Sequence, residues 1–582
     1  MHRLIPTQHA LSLHLITIAE PFVDRLDSNH TANDIPSPIE EMAKLRALLD
    51  SPRPLVLGDQ HLRQVAEYAR SALQHFARVA PFVGVNGSQR WLDTRLPSEL
   101  LDAIVGHIAA PKDLLALALV CKRMSTIVLL HRLDYRIIRA KVSSLPLWSH
   151  LTFYRYLARN VRVLEILDER GDKRKAVPRG VPASKTAPEP THDTPVEYER
   201  PFISALACLT TLHTFIWSYN QPPVSVEQIW QVLLKCQTLL SIDMKDNRLF
   251  ASPSEDSDGS GESVAVLPDL KTVSLMSTTQ PTDVSKAPSL TRVVGMLRML
   301  SDCQRLENLT VGYSEYNDEH YESPNADDLL LLVRLSQLRS LSLINLRCSS
   351  QTGLNAAADF LAAHANLQVL HLDLSFGADI AIPLPPDVLP RLRELQSGCR
   401  FASALFHCPC SANGGRPLDT LKGMVLNGGR WSNEFLDGLE SVGGSMRRIE
   451  LAGWSDKKSV QRLATCVPNL TWLDVGKRFG RRSSSTDEKL NSWIDLLAQL
   501  VQLEAFHGVR LFHEVHTKDR KGAVSQSDRS HHIENGTNAS ILMWRCVKLR
   551  RLDHWKKNSG KVIALVRDGD SKYKVVEDVG RW

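Results

Sequence analysis

The chain has 582 residues, of which 70 are Lys or Arg and 64 are Asp or Glu, for a formal net charge of +6. A balance this mild, spread over a large surface, does not argue for nucleic acid, and no run of ~20 apolar residues is present to argue for a membrane span. At ~150 residues per domain the length predicts several domains, unless a repeat array replaces that count.

Residues 1–38 read as a poorly ordered segment. Within it, 10–19 is an apolar stretch broken by His14, following a weakly basic Met1-His2-Arg3. It has no small-residue cleavage site before Glu20, so it is read as a buried or interfacial helix rather than a signal peptide. Residues 39–90 form a helical extension with amphipathic stretches at 39–49 and 61–79. Their role is open: they pack on the helices that follow or form a separate partner site.

Residues 91–158 hold the most informative stretch, Leu96-Pro97-Ser98-Glu99-Leu100-Leu101-Asp102-Ala103-Ile104, leading through Asp113-Leu114-Leu115 to Val120-Cys121-Lys122-Arg123-Met124. Pro97 suits the first turn of a helix, where its fixed φ fits and its missing N–H is not needed. Glu99 then lies near the positive helix end. Leu100, Leu101, Ile104, Val105 and Ile108 recur at helical spacing and cover a stripe wider than one helix contact requires, so this helix has two apolar neighbours. Pro111 and Asp113 restart the chain, and Leu114, Leu115, Leu117, Leu119 and Val120 fill a second, mostly apolar helix. A third is expected from near Val120 towards Ala140. A module of about 45 residues cannot bury this much apolar surface alone and needs a partner or an adjoining domain.

These residues resemble an F-box. The resemblance implies a Skp-type adaptor, and through it a cullin-RING ligase, as the partner; the positions matching the family's contact motif are Leu96, Pro97, Leu100, Ile104, Leu114 and Val120. Met124 departs from the family, which often has an aromatic there. The following segment, from Leu145-Pro146-Leu147-Trp148 to Ile166, resembles the junction of fungal F-box proteins. Trp148 is read as a buried anchor whose N–H needs an acceptor, either fixing the angle of the module or serving as an ordinary core residue.

From residue 159 to 555 an L-x-x-L-x-L pattern returns: Val161, Leu164, Ile166; Leu212, Phe215, Trp217; Leu239, Ile242, Met244; and onward through Leu338, Leu341, Leu343 and Leu367, Leu370, Leu372 to Leu503, Phe506 and Leu549, Leu552. Alternate residues of a short strand point into one core, and segments such as 329–335 and 356–363 read as helices packed behind it. The fold class is therefore α/β: a small helical module followed by an irregular solenoid that resembles leucine-rich repeats, with parallel strands on a concave face and helices outside. The Asn expected after such strands survives only at Asn247, Asn345 and Asn427, which implies an irregular arc. Insertions near 171–201, 251–263 and 515–540 read as disordered loops, and 556–582 reads as a tail. The Asp256-Ser257-Asp258 stretch lacks the Glu that a calcium loop needs at its twelfth position, which is Leu267. Its serines, and Ser484, are read as solvated loop or as phosphorylation sites.

The ten cysteines are scattered and suggest no disulfide framework. Cys236, Cys303 and Cys546 fall just before strands, where a small buried hydrophobe fits. His407, Cys408 and Cys410 with Cys399 lack the second pair a zinc site requires and are read as loop residues. The sequons at Asn308 and Asn469 fall inside repeats, where no glycan fits; Asn29, Asn535 and Asn538 carry the others. No phosphate-binding glycine loop, nucleophile elbow, zinc helix or RING-like array occurs. The expectation is a non-catalytic, cofactor-free receptor of the cytoplasm and/or nucleus, with the F-box docking the adaptor and the repeats holding an unknown cargo protein for ubiquitination and proteasomal degradation. The alternative is a repeat scaffold or an F-box complex acting outside ubiquitin ligation.

Overall fold

The computed structural model describes residues 98–106, 108, 111–168, 175–179, 181, 195–219, 226–245, 267, 269–277, 303–313, 323, 325–349, 352–376, 382–410, 415–479, 490–515, 526–556, 559–567 and 572–577. Leu96, Pro97, the expected helices at 39–49 and 61–79, the insertion at 251–263, Asn29, Asn247 and Ser484 lie outside them. The described residues up to Thr238 form one compact unit and those from Leu239 on form a second.

In the first unit, α1 (Ser98–Gly106) and α2 (Pro111–Ala118) precede α3 (Lys122–Ser125), which runs without a break into a π-helical segment (Thr126–Leu133) and a last turn, α4 (Asp134–Arg136). The third helix thus ends well before Ala140. β1 (Ile137–Lys141) takes its place, because Ile137 and Ile138 are β-branched and Ile138 and Ala140 are buried at alternate positions. After α5 (Leu145–Phe153) and α6 (Arg155–Ala158), β2 (Val163–Leu167) pairs in parallel with β1. Then α7 (Pro195–Leu206) leads to β3 (Thr214–Trp217), parallel to β2, and α8 (Val226–Leu234) follows. Part of the insertion expected to be loop is therefore helix: Pro195 opens α7, and Phe202, Ala205 and Leu206 are buried along it. Trp148 is fully buried, its Nε1–H donates to the Val142 carbonyl at 2.7 Å, and its ring meets Phe202 edge-on at 5.1 Å.

In the second unit each predicted repeat core is a strand: β4 (Ser241–Met244), β5 (Thr272–Ser277), β6 (Asn308–Tyr313), then α9 (Asp327–Leu332), β7 (Ser340–Cys348), α10 (Thr352–Ala363), β8 (Val369–Phe376), β9 (Glu394–Ser397), α11 (Cys399–His407), β10 (Thr420–Leu426), α12 (Arg430–Val442), β11 (Arg448–Trp454), α13 (Lys457–Cys466), β12 (Trp472–Asp474), the short β13 (Lys477–Arg478), α14 (Leu490–Leu497) and β14 (Ala505–His507). α15 (Gln526–Arg545), β15 (Arg551–Asp553), β16 (Lys561–Leu565) and β17 (Tyr573–Glu577) complete it. The sheet is parallel from β4 to β15, with β13 beside β11, and closes with two antiparallel strands.

Two devices repeat through this unit. The N–H of the first core residue of a repeat donates to the carbonyl three residues back, as from Leu306 to Cys303, Leu367 to His364 and Leu549 to Cys546. The residue before each strand then gives its carbonyl to two N–H groups of the next repeat: Glu307 accepts from Arg339 at 2.8 Å and Ser340 at 3.0 Å, and Glu504 accepts from Arg550 at 2.8 Å and Arg551 at 3.0 Å. A carbonyl has two lone pairs for this purpose. The slot three residues before the core is buried, and Cys236, Cys303 and Cys546 fill it where other repeats place Leu267, Leu335, Leu389 or Leu500. His364 occupies the same slot; its Nε2 accepts the Leu335 N–H at 2.9 Å, so its Nδ1 carries the proton donated to the Phe360 carbonyl.

Two expectations differ in this unit. The polar segment 515–540 contains most of α15, held by Asn535, which is fully buried and both accepts from and donates to the His513 backbone. Residues 561–565 and 573–577, expected as tail, pair with β15 and with each other. Asn345 and Asn427 do not form a common ladder: Asn345 stands at φ 51° with its N–H on Asp373, whereas the Asn427 side chain caps a local turn through Gly429 and Ser432.

Candidate functional site

The helical module exposes one apolar stripe and buries another on the same helix. Leu101 and Val105 of α1 are buried, while Leu100 and Ile104, one position earlier in each case, are 52% and 51% exposed. Residues four apart share a helix face, so α1 carries two adjacent aliphatic stripes, of which, among the described residues, one is buried and the other is exposed. Val105 of the inner stripe belongs to a core with Leu114, Ala118 and Val128, closed by Ile108, Leu117, Met124, Leu129 and Leu133. Cys121 caps α3 by accepting the Met124 N–H at 3.4 Å, and Arg123 reaches the hydroxyl of Ser98 at the start of α1 at 3.0 Å.

The expected contact residues are therefore placed differently from one another. Leu100, Ile104 and Val120 point to solvent, Val120 being 72% exposed in the turn that follows α2 rather than on the helix itself. Leu114, expected among the contacts, is 1% exposed and fills the core behind them. Its Leu-Leu neighbourhood gives no way to tell inward from outward positions in a helix that is apolar nearly all round.

The open face of the second unit's sheet is the other candidate surface. Strand positions alternating with the core point to it, and over β9 to β15 they include the charged or aromatic Glu394, Lys422, Arg448, Trp472, His507 and Asp553. Lys422 pairs with Glu394 at 2.6 Å, and Arg448 with Glu450 at 2.5 Å. The Arg448 guanidinium lies 4.6 Å over Trp472, whose ring stacks on His507 at 4.7 Å, and His507 Nδ1 bonds Asp553 at 2.8 Å. Both faces of Trp472 are thus covered from within the chain. Asp474, in register with His507, accepts the Gly476 N–H at 2.8 Å, and burial raises its carboxyl above the ordinary range. Trp472, Asp474 and His507 were not singled out from the sequence, because they come from strands 33 residues apart that only the register aligns.

Three of the four residues of the zinc-like cluster are held by their own chain. Cys399 donates to the Val425 carbonyl, Cys408 to the Pro385 carbonyl at 2.9 Å, and His407 Nδ1 bonds the Ser403 carbonyl. Cys399 and Cys408 are buried, and burial pushes the Cys399 thiol up to about 11. Among the described residues no group of three or more His, Cys, Asp or Glu could hold a metal, and no helix is long and apolar enough to cross a membrane.

Comparison with known proteins adds the following. No curated protein matches the chain. A chain from the crystal structure of the Rad7 and Elc1 complex in yeast is similar over 81% of this chain and 97% of its own, at 12% identity and a TM-score of 0.33. The family model for F-box-like domains matches residues 94–140, the stretch that contains α1 to α4 and most of β1. The chain thus carries an F-box-like domain at 94–140, followed by a solenoid-like repeat region.

Proposed function

We propose that this chain is the substrate-recognition subunit of an SCF-type cullin-RING ubiquitin ligase. In this reading Leu96, Pro97, Leu100, Ile104 and Val120 meet a Skp-type adaptor, Leu114 supports them from behind, and the repeat region holds a cargo protein. The observation that carries the reading is the second aliphatic stripe of α1, exposed among the described residues, inside a segment that matches the F-box-like family. Fully burying a Leu or Ile side chain contributes about 1.5–3 kcal/mol. With half of each exposed, covering Leu100 and Ile104 contributes about 1.5–3 kcal/mol together, a substantial share of an interface whose energy is concentrated in a few residues.

The chain's part in ubiquitin transfer is then positional. It performs no chemistry and raises the local concentration of the cargo at the transferring enzyme. The ten free cysteines fit work in the reducing cytoplasm or nucleus.

Co-purification with a Skp-type adaptor tests the reading. The intact protein should retain the adaptor, and Leu100→Asp with Ile104→Asp should abolish retention without changing the melting of the rest of the chain. Retention by the double variant equal to that of the parent, or none by the parent, overturns it. Adaptor retention without cullin in the same complex would favour action outside ubiquitin ligation.

A further inference from the structure

The carbonyl ladder of the second unit runs through one row of residues, each placed immediately before its strand. The N–H of Glu307 bonds the Lys271 carbonyl at 2.9 Å, Arg339 that of Glu307 at 2.8 Å, and Gln368 that of Arg339 at 2.7 Å. Arg393, Asp419 and Arg447 continue it at 2.8, 3.0 and 2.8 Å. The strand residues that follow are paired in the same order, Thr272 with Asn308, Ser340, Val369, Glu394, Thr420 and Arg448. The backbone position of every member is thus fixed by a hydrogen bond to its neighbour.

The side chains along this row alternate. Lys271, Arg339, Arg393 and Arg447 stand on every second strand, and all four are exposed. Between them come Glu307, Gln368 and Asp419, which are half-buried. Glu307 lies 3.9 Å from Arg339, and Arg447 donates to the Asn469 carbonyl. Pairing between side chains this exposed is worth little, so the rim presents four cations to solvent with its acids set back.

Adjacent strands lie about 4.8 Å apart, which puts successive cations about 10 Å apart, and a polyproline-II segment, with three residues per turn and a rise of about 3.1 Å per residue, covers that distance in about three residues and returns to the same face. We propose that this rim binds an extended acidic segment of a protein partner, with Asp or Glu at every third position. The proposal rests on the reading of the repeat region as the cargo-holding part, and it assigns to the cargo an acidic segment of defined spacing.

The test uses the full chain and two labelled peptides of equal length and charge, one with Glu at every third residue and the other with the same glutamates contiguous. The spaced peptide should bind more tightly, by about fivefold, and Arg393→Ala with Arg447→Ala should weaken it about tenfold, ~1.4 kcal/mol. A control removing two exposed cations elsewhere, Lys458→Ala with Lys574→Ala, should leave the preference intact. Equal binding of the two peptides, an equal loss in the control, or no loss in the rim variant overturns the proposal. Adaptor retention, measured on the same variants, reports separately on the F-box reading.

Discussion

Leu341 and Leu370 are the sharpest probes of the repeat register. Both are fully buried, and they face each other as paired residues of β7 and β8. Truncating either to Ala removes roughly three methylene equivalents, about 2.4 kcal/mol at ~0.8 kcal/mol each. The surrounding structure relaxes only in part, so the residual cavity adds to this, and the expected loss is about 2–5 kcal/mol per site. Ser342, one residue on, points to the open face, and Ser342→Ala should cost no more than about 0.5 kcal/mol. Because Leu341 and Leu370 touch a common space, the double variant should lose less or more than the sum by about 0.5–3 kcal/mol, whereas Leu341 with the remote Leu552 should add. Denaturant unfolding followed by far-ultraviolet circular dichroism measures all of these, with Leu552→Ala alone as the remaining single variant. A Leu341→Ala variant that unfolds with the parent, or a Ser342→Ala variant that loses as much as Leu341→Ala, would refute the alternation on which the whole sheet is assigned.

Two further outcomes follow from individual contacts. Burial lowers the His364 pKa below its ordinary 6.5, and its neutral ring is needed to accept the Leu335 N–H. The unfolded chain therefore takes up the proton first as pH falls, so stability should drop as pH goes from above 6.5 down through the folded value; His364→Gln should flatten this slope in pH-dependent melting, and an unchanged slope would show that His364 does not drive it. Trp148→Phe keeps the aromatic ring and deletes the N–H donated to Val142, leaving that carbonyl without this donor. A loss of about 1–3 kcal/mol is expected, read as a lower melting temperature, and a loss within error would mean that water takes over the bond.

Much of the repeat region was legible because its core positions recur at fixed offsets, and an inward Leu is needed on each strand regardless of what the loops do. Leu306, Leu309 and Val311, for example, could be placed with no knowledge of the 36 residues that separate β5 from β6 at their starts. α15 was less legible: most of its residues are polar, and beside the buried Ala539 and Leu542 it is held by a buried amide, Asn535, bonded to a backbone 22 residues earlier. β1 was hidden for another reason. Residues 137–141 follow a helix without a turn signal, and their strand character depends on β2 being present to pair with. In the module, the spacing identified α1 and its excess of apolar surface. The assignment of Leu100 and Ile104 outward and Leu114 inward needed the packing of α2 against the π-helical segment.

The doubly accepting carbonyl before each strand separates the pitch of the array from the length of its units. Successive strands begin 24 residues apart from Arg448 to Trp472 and 46 apart from Ala505 to Arg551, yet the same two N–H groups reach the same kind of acceptor in both places. Lengthening a connection alters only the closure entropy of a loop, about 0.6 kcal/mol for each doubling. Such a spine tolerates the gain and loss of long insertions during descent while leaving both faces of the sheet in register, so that new segments can be tried at one border of the array without retuning the others.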